Sequence, residues 1–232
     1  MFDDLSPALA RVLPPCVVWH TVTIGEAVEP LFPEEAAAVA KAVVHRQAEF
    51  AAGRQAARSA LRRLCGYSGP VPPGDDRAPV WPPGLVGSIT HDEGLAVAAV
   101  ALASDVRALG LDVDTVARFR PELEGPICTP DEVERLLQGR TPSERQRQLA
   151  RVFCIKEAVY KAQYPLTRGW LDFADLVLDW PQEAPDRFVA TLQRRVGGFE
   201  AGYRFEGHCV VEGPRCVAAL VLQPIRGDRF RG

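Results

Sequence analysis

Much that would point to a common function is missing from this sequence. Its six cysteines, Cys16, Cys65, Cys128, Cys154, Cys209 and Cys216, include no C-x-x-C pair. Neither a zinc ribbon nor a disulfide framework is expected, and a reducing cytoplasm is the compartment that suits them. A basic excess is also missing: 27 Lys and Arg stand against 30 Asp and Glu, a formal charge of −3. That leaves no overall footprint for nucleic acid, so any anion binding must be local. The longest apolar run, Leu95 to Ala103, is too short to span a bilayer. Met1-Phe2-Asp3-Asp4-Leu5 is acidic where a secretory leader is basic, so no leader is expected. No G-x-x-x-x-G-K-[ST] or G-x-G-x-x-G occurs, which removes two common phosphate-cradling loops. His91-Asp92-Glu93 has the H-x-E of a zinc deaminase but not its P-C-x-x-C.

What is present is a soluble globular composition, 47% hydrophobic and 25% charged over 232 residues. That is enough for one large domain or two small ones with a substantial core. A strand is expected at Val17–Val22, then a long helical region opened by Pro33-Glu34-Glu35 and closed by Gly66, with a bend at Gly53. The Pro- and Gly-rich stretch from Gly69 to Gly84, which carries Arg77, reads as an ordered surface loop. A buried strand over Leu95–Leu102 follows Gly87-Ser88-Ile89-Thr90-His91. Thr129-Pro130 caps a helix reaching about Gln138, and Ser143-Glu144 begins the next. After Tyr164-Pro165 the chain reads as strands at Leu176–Trp180, Phe188–Gln193, Tyr203–Phe205, Cys209–Glu212 and Cys216–Leu222.

Two stretches carry the chemistry. In Leu109-Gly110-Leu111-Asp112-Val113-Asp114-Thr115 apolar and acidic residues alternate, so on a strand Asp112 and Asp114 share a face while Leu111 and Val113 enter a core. In Phe153-Cys154-Ile155-Lys156-Glu157-Ala158-Val159-Tyr160-Lys161, helical spacing puts Val152, Ile155, Val159 and Ala162 on one stripe and Glu157 well off it. Three carboxylates then have the means to converge on one divalent cation. The ordinary alternatives are a solvated Asp-x-Asp face and an i,i+4 Glu157–Lys161 pair. Arg46, Arg54, Arg58 and Arg62 recur along one helical face, either as a solvated stripe or as an anion grip. Ala96–Leu102 echoes Cys216–Leu222, and each follows a helix with an aromatic–x–x–x–charged pattern, Phe50/Arg54 and Phe153/Glu157. Two similar halves are suggested, residues 1–104 and 105–232.

Taken in order, Arg46-Gln47-Ala48-Glu49-Phe50-Ala51-Ala52-Gly53-Arg54, Pro79-Val80-Trp81-Pro82, Gly87-Ser88-Ile89-Thr90-His91, Gly110-Leu111-Asp112-Val113-Asp114 and Phe153 to Ala162 resemble the 4′-phosphopantetheinyl transferases. The likeness is to the Sfp/EntD type, in its actinobacterial and enterobactin-synthase-associated branch, and spans about residues 34 to 176. It implies an α+β fold, a monomeric pseudo-dimer of two α/β halves with coenzyme A and Mg²⁺ or Mn²⁺ in the cleft between them. The implied reaction is attack by a carrier-protein serine hydroxyl on the β-phosphate of coenzyme A, with 3′,5′-ADP leaving. By the same resemblance Asp112, Asp114 and Glu157 hold the cation, Lys156 and Lys161 contact phosphate oxygens, and Lys161 stabilises the leaving diphosphate. Arg46, Arg54 and His91 grip the 3′-phosphate, Arg77 serves the nucleotide side, Ser88 and Thr90 line the site, and Tyr160 and Trp170 wall the pantetheine channel. The general base is Glu157 or, second, Glu132. Family members usually carry Glu at the position of Asp114, whose side chain is about 1.5 Å shorter, so a bridging water is expected to complete coordination.

Oxygen donors suit a hard cation, and guanidinium forks suit phosphate. A metal-dependent phosphohydrolase or nucleotidyltransferase built on Asp112 and Asp114 is the alternative reading. Finally, Arg135, Arg140, Arg145, Arg147 and Arg151 face a single acid, Glu144, between the first and last of them. This reads either as solvated helix charge or as the surface on which an acidic acyl or peptidyl carrier protein docks.

Overall fold

The computed structural model describes residues 4–26, 28–181 and 183–224. In chain order the elements are α1 (Ser6–Val12), β1 (Val18–Thr23), α2 (Pro33–Val39), α3 (Val44–Cys65), β2 (Leu85–Asp92), β3 (Leu95–Leu102), β4 (Ala108–Thr115), α4 (Glu124–Ile127), α5 (Pro130–Glu132), α6 (Pro142–Thr167), β5 (Leu176–Asp179), β6 (Arg187–Leu192), β7 (Arg204–Glu212) and β8 (Arg215–Leu222). Short 3₁₀ turns join some of them, and α5 widens into a π-helical turn over Val133–Leu137.

The chain forms two compact units, Met1–Pro14 with Gly110–Val221, and Pro15–Leu109 with Leu222–Gly232. The sequence reading divides the halves at residue 104 and assigns all of residues 1–104 to the first. In the structure α1 goes with the second, because Ala8, Leu9 and Val12 form an apolar stripe that packs on β7. Each unit has one sheet with one long helix against it, an α+β architecture.

In the unit built from Pro15–Leu109 the sheet order is β1-β3-β2, both pairings antiparallel. The central strand β3 is an alanine–valine run buried from Leu95 to Ala101. Small side chains let α3 lie close, and Ala56, Ala57, Ala60 and Leu61 pack on Ala98 and Val100. The expected single helical region is broken between Val39 and Val44. Gly53 is not a bend. It lies within α3, where an added Cβ would sit 3.1 Å from Ile89 Cγ2, so glycine lets the helix approach β2. At the end of α3 Gly66 adopts φ 76°, and its N–H donates to the Arg62 carbonyl as a left-handed cap.

The other unit carries a five-stranded sheet ordered β4-β8-β7-β6-β5. Strands β6 and β7 pack against α6. The residues read as two strands around 203–212 form one, β7. Gly207 lies in its middle, where a side chain would collide with Ala219 O and the Phe188 ring. Thr141 caps α6 with a reciprocal Thr141/Glu144 box and Pro142 at its first turn, one residue ahead of the expected start. No helix among the described residues is long and apolar enough to cross a membrane.

Candidate functional site

The acids of β4 follow from its alternation. Leu111 and Val113 are in the core, and Asp112 and Asp114 are 5% and 7% exposed. Two buried carboxylates two residues apart need countercharges. Lys161 supplies one, its Nζ 2.6 Å from Asp112 Oδ1 and 3.3 Å from Leu111 O. Arg118 supplies the other at 2.9 Å from Asp114 Oδ1, which also accepts from the Thr115 amide at 2.7 Å. The shorter acid at 114 is thus drawn onto its own backbone.

Helix α6 is brought onto β4 by Gly110, where an added Cβ would lie 1.9 Å from the Ala158 carbonyl oxygen. That close approach puts Lys161 on Asp112. Glu157 is near enough for Asp112 to act on it. Burial raises the Glu157 carboxyl above its usual range, the Lys161 charge opposes this, and the Asp112 charge adds to it. A carboxylate held this way is a better proton acceptor than an exposed one.

Beside Glu157 lies a cavity of about 300 Å³ whose walls include Tyr160, Trp170, Leu171 and Phe173. Tyr160 meets Trp170 edge to face at 5.4 Å and stacks on Tyr164 at 5.3 Å. Trp170 is 65% exposed, so this wall opens to solvent.

Lys156, which also lines that cavity, and Glu132 are paired with each other. Both side chains are completely buried, and Lys156 Nζ lies 2.7 Å from Glu132 Oε2 and 3.0 Å from Ile127 O. Glu132 accepts in addition from the amides of Thr129 and Leu178. Its carboxylate ties the start of α5, β5 and α6 together. The signal that hinted at this was the Thr129-Pro130-Asp131-Glu132 capping box, which commits the glutamate to the Thr129 amide.

In the other unit, Arg46 and His91 meet, with Arg46 Nη1 2.7 Å from His91 Nε2. Glu49 sits among the cations, 3.0 Å from Arg46 and 3.1 Å from His45, with His91 Nδ1 at 3.7 Å. Burial raises the Glu49 carboxyl, but Arg46 and the histidines outweigh it and the net direction is down. Glu49 was missed as a separate site residue, although the Arg46-x-x-Glu49 spacing places the two on one face.

Arg54 is 5% exposed, with its guanidinium 4.2 Å over the Phe50 ring and no carboxylate within ion-pair distance among the described residues. Its Nε is buried without an acceptor. Burial lowers its pKa to about 10, opposed by Glu35 and assisted by Arg46 and Arg58. A guanidinium held over a ring and not matched by a carboxylate is suited to receive an anion. The rest of the arginine stripe is structural: Arg58 is held by Glu35 at 2.9 Å and Arg62 by Glu29 at 2.8 Å.

Ser88 and Thr90 do not join His91. The alternating burial of β2 turns Ser88, Thr90 and Asp92 to one face and Ile89 and His91 to the other. Arg77 is exposed at φ 66° in a tight turn closed by its amide on the Gly74 carbonyl.

The basic segment is also divided. Arg145 is clamped by both oxygens of Glu124, and Arg135 is held by Asp131 at 2.7 Å. Arg147 is exposed, with no ion pair among the described residues. Arg140 and Arg151 turn to a second cavity.

The donor set Asp112, Asp114 and Glu157 fits a hard divalent cation in kind: carboxylate oxygens, buried and mutually repelling, with no thiolate or imidazole among them. Their present arrangement is that of paired charges. Among the described residues no three His, Cys, Asp or Glu side chains are gathered as a cage, and Lys161 and Arg118 supply the positive charge.

Comparison with known proteins adds an independent finding. Residues 34–101 match the sequence model of the 4′-phosphopantetheinyl transferase N-terminal domain, and residues 108–204 match that of the 4′-phosphopantetheinyl transferase superfamily. The chain is 40% identical over 228 residues to 4′-phosphopantetheinyl transferase Svp of Streptomyces mobaraensis, covering 93% of this chain and 90% of that protein. It is 38% identical over 163 residues to 4′-phosphopantetheinyl transferase PptT of Mycobacterium tuberculosis, 69% of this chain and 71% of that protein. It is 35% identical over 141 residues to enterobactin synthase component D of Escherichia coli O157:H7, 60% of this chain and 64% of that protein.

Proposed function

Because the chain belongs to the 4′-phosphopantetheinyl transferase superfamily, we propose that its two sets of buried charge serve one reaction on coenzyme A. The protein transfers phosphopantetheine to carrier proteins. The finer reading is that a serine Oγ forms a bond to the β-phosphorus of coenzyme A while the bond to the 3′,5′-ADP oxygen breaks. The serine proton passes to Glu157. The observation that carries this is Lys161 on Asp112 beside a Glu157 whose carboxyl burial has raised.

Asp112, Asp114 and Glu157 are the residues that would hold Mg²⁺ or Mn²⁺, which when bound supplies charge neutralisation on the diphosphate. Lys161, half-buried and paired with the Asp112 carboxylate, is suited to follow the negative charge that builds on the leaving oxygen. Lys156, turned to Glu132, holds the turn of α6 that presents Glu157. Tyr160 and Trp170 form an apolar wall suited to the pantetheine arm. Arg54, with Arg46 and His91, is suited to the 3′-phosphate, and Glu49 orders the latter pair. Arg77 on its exposed turn is left to the adenine side. Of the five arginines expected to dock the carrier, Arg140 and Arg147 are exposed with no ion pair among the described residues, and Arg147 is the one of the two that stands on α6. Six free cysteines suit a reducing cytoplasm, and nothing in the mechanism asks for more than a monomer.

The test is transfer itself. With coenzyme A, Mg²⁺ and an apo carrier protein, intact mass should show one phosphopantetheine added, and a chelator should stop it. Arg54→Ala should raise KM about tenfold or more for coenzyme A, with little effect on 3′-dephospho-coenzyme A. Equal losses on both substrates would remove Arg54 from the 3′-phosphate.

A further inference from the structure

A second cavity, of about 390 Å³, is walled by Arg135, Arg140, Arg151, Trp180, Pro181 and Pro185. We propose that it is a second binding site, for a small organic carboxylate, and that it lies apart from the phosphopantetheine machinery. Four observations carry this.

The first is unspent donors. Trp180 Nε1 and Arg151 Nε are both buried without a hydrogen-bond acceptor among the described residues, although the Arg151 side chain as a whole is close enough to the Cys209 thiol to act on it. Buried donors left in this state cost stability unless something accepts from them. The second is unspent charge. Neither Arg140 nor Arg151 has a carboxylate within ion-pair distance among the described residues; Arg140 donates to the Leu136 carbonyl and Arg151 to the Pro185 carbonyl.

The third observation decides the class of anion. Three guanidinium groups face the cavity. Asp131 answers Arg135, and the Asp179 side chain, which accepts from the Trp180 amide, is also in the wall. Glu144 lies near enough to feel the Arg140 charge, so at most one positive charge is left over, too little for a phosphate dianion, and a planar carboxylate fits a guanidinium fork. The fourth is size. The volume is at the lower end of the range for small-molecule sites, more than an isolated ion needs. Trp180, whose ring lies 5.1 Å from the Arg151 guanidinium, forms with Pro181 and Pro185 a wall for an apolar body. Arg151 and Glu157 are six residues apart on α6, about 9 Å along the helix axis, so the two cavities sit on one rigid element.

The test uses the full chain saturated with coenzyme A and titrated calorimetrically with benzoate, benzamide and acetate. Benzoate should bind saturably, and benzamide, of the same shape but neutral, should bind about tenfold more weakly. Acetate should also be weaker, for want of the apolar body. Arg140→Met should weaken benzoate about tenfold with an unchanged melting temperature. Arg151→Met should do the same, and because Arg151 also packs on Trp180, Arg140→Met and the benzamide comparison keep the test decisive if that variant does not fold. Equal affinity for benzoate and benzamide would overturn the proposal. So would displacement of benzoate by coenzyme A, or a benzoate affinity that Arg140→Met leaves unchanged, which would show an adventitious additive only.

Discussion

Glu157 shows how one residue can be costly to the fold and useful to the reaction. Burial raises its carboxyl, with Asp112 adding and Lys161 opposing. A carboxyl whose folded pKa lies above its unfolded value favours the folded state most fully below the unfolded pKa. That contribution is lost as pH rises through the folded pKa. At neutral pH the ionised group is therefore a net burden, and Glu157→Gln relieves it. We expect the variant to melt higher than the parent at pH 7 to 8, and the gap to close as falling pH protonates Glu157 in the parent, whose folded carboxyl is raised above the ordinary glutamate range. Its transfer rate should fall by roughly 10²–10⁴ if the carboxylate is the base. In the parent, activity should decline on the acid side through an apparent pKa above that of an ordinary glutamate. A variant that transfers at the parental rate, or that melts lower at pH 8, would show that the burial of Glu157 has some other use.

Strands and helices that carry their own pattern were legible in the sequence, and the exceptions share one cause. The period of two in Leu111-Asp112-Val113-Asp114 gave the strand and its acidic face, and Thr129 marks a helix start by capping chemistry that needs no tertiary partner, while the start of α6 at its Thr141 cap lies just ahead of the Ser143 read for it. What was not legible depends on partners distant in sequence. Glu132 looks like a site acid until Lys156 and the Leu178 amide are seen on it, and Arg58 looks like part of an anion grip until Glu35 is seen against it.

Gly110 belongs to the same class, since only α6 makes glycine necessary there. With an added Cβ 1.9 Å from Ala158 O, alanine forces helix and strand apart. Gly110→Ala should cost about 3 kcal/mol of stability, read as a lower urea midpoint with an unchanged slope, and should lower transfer by loosening Lys161 from Asp112. Gly198→Ala, where no atom lies within 4 Å of the added carbon, is the control and should stay within about 0.5 kcal/mol of the parent. Similar midpoints for the two variants would mean that α6 is not held against β4 by that contact.

At the scale of the molecule the charge distribution bears on how an acidic carrier protein could approach a chain that is itself net negative at −3. Uniformly spread, that charge would slow the encounter, so attraction must come from a local excess within about a Debye length, roughly 10 Å at 0.1 M salt. The segment from Arg135 to Arg151 supplies one, and the structure spends part of it: Glu124 neutralises Arg145 and Asp131 neutralises Arg135, while Arg140 and Arg151 line a cavity. Arg147 remains, exposed on α6 ten residues before Glu157. A rim charge of this kind acts on the association rate more than on the lifetime of the complex. Arg147→Glu should therefore lower kcat/KM for the carrier about three- to tenfold at low ionic strength, with the KM for coenzyme A unchanged. The deficit should shrink as salt screens both proteins and be nearly gone by about 0.5 M. A deficit that persists undiminished at high salt would point to a packing contact, and unchanged carrier kinetics at low salt would return Arg147 to ordinary solvated charge.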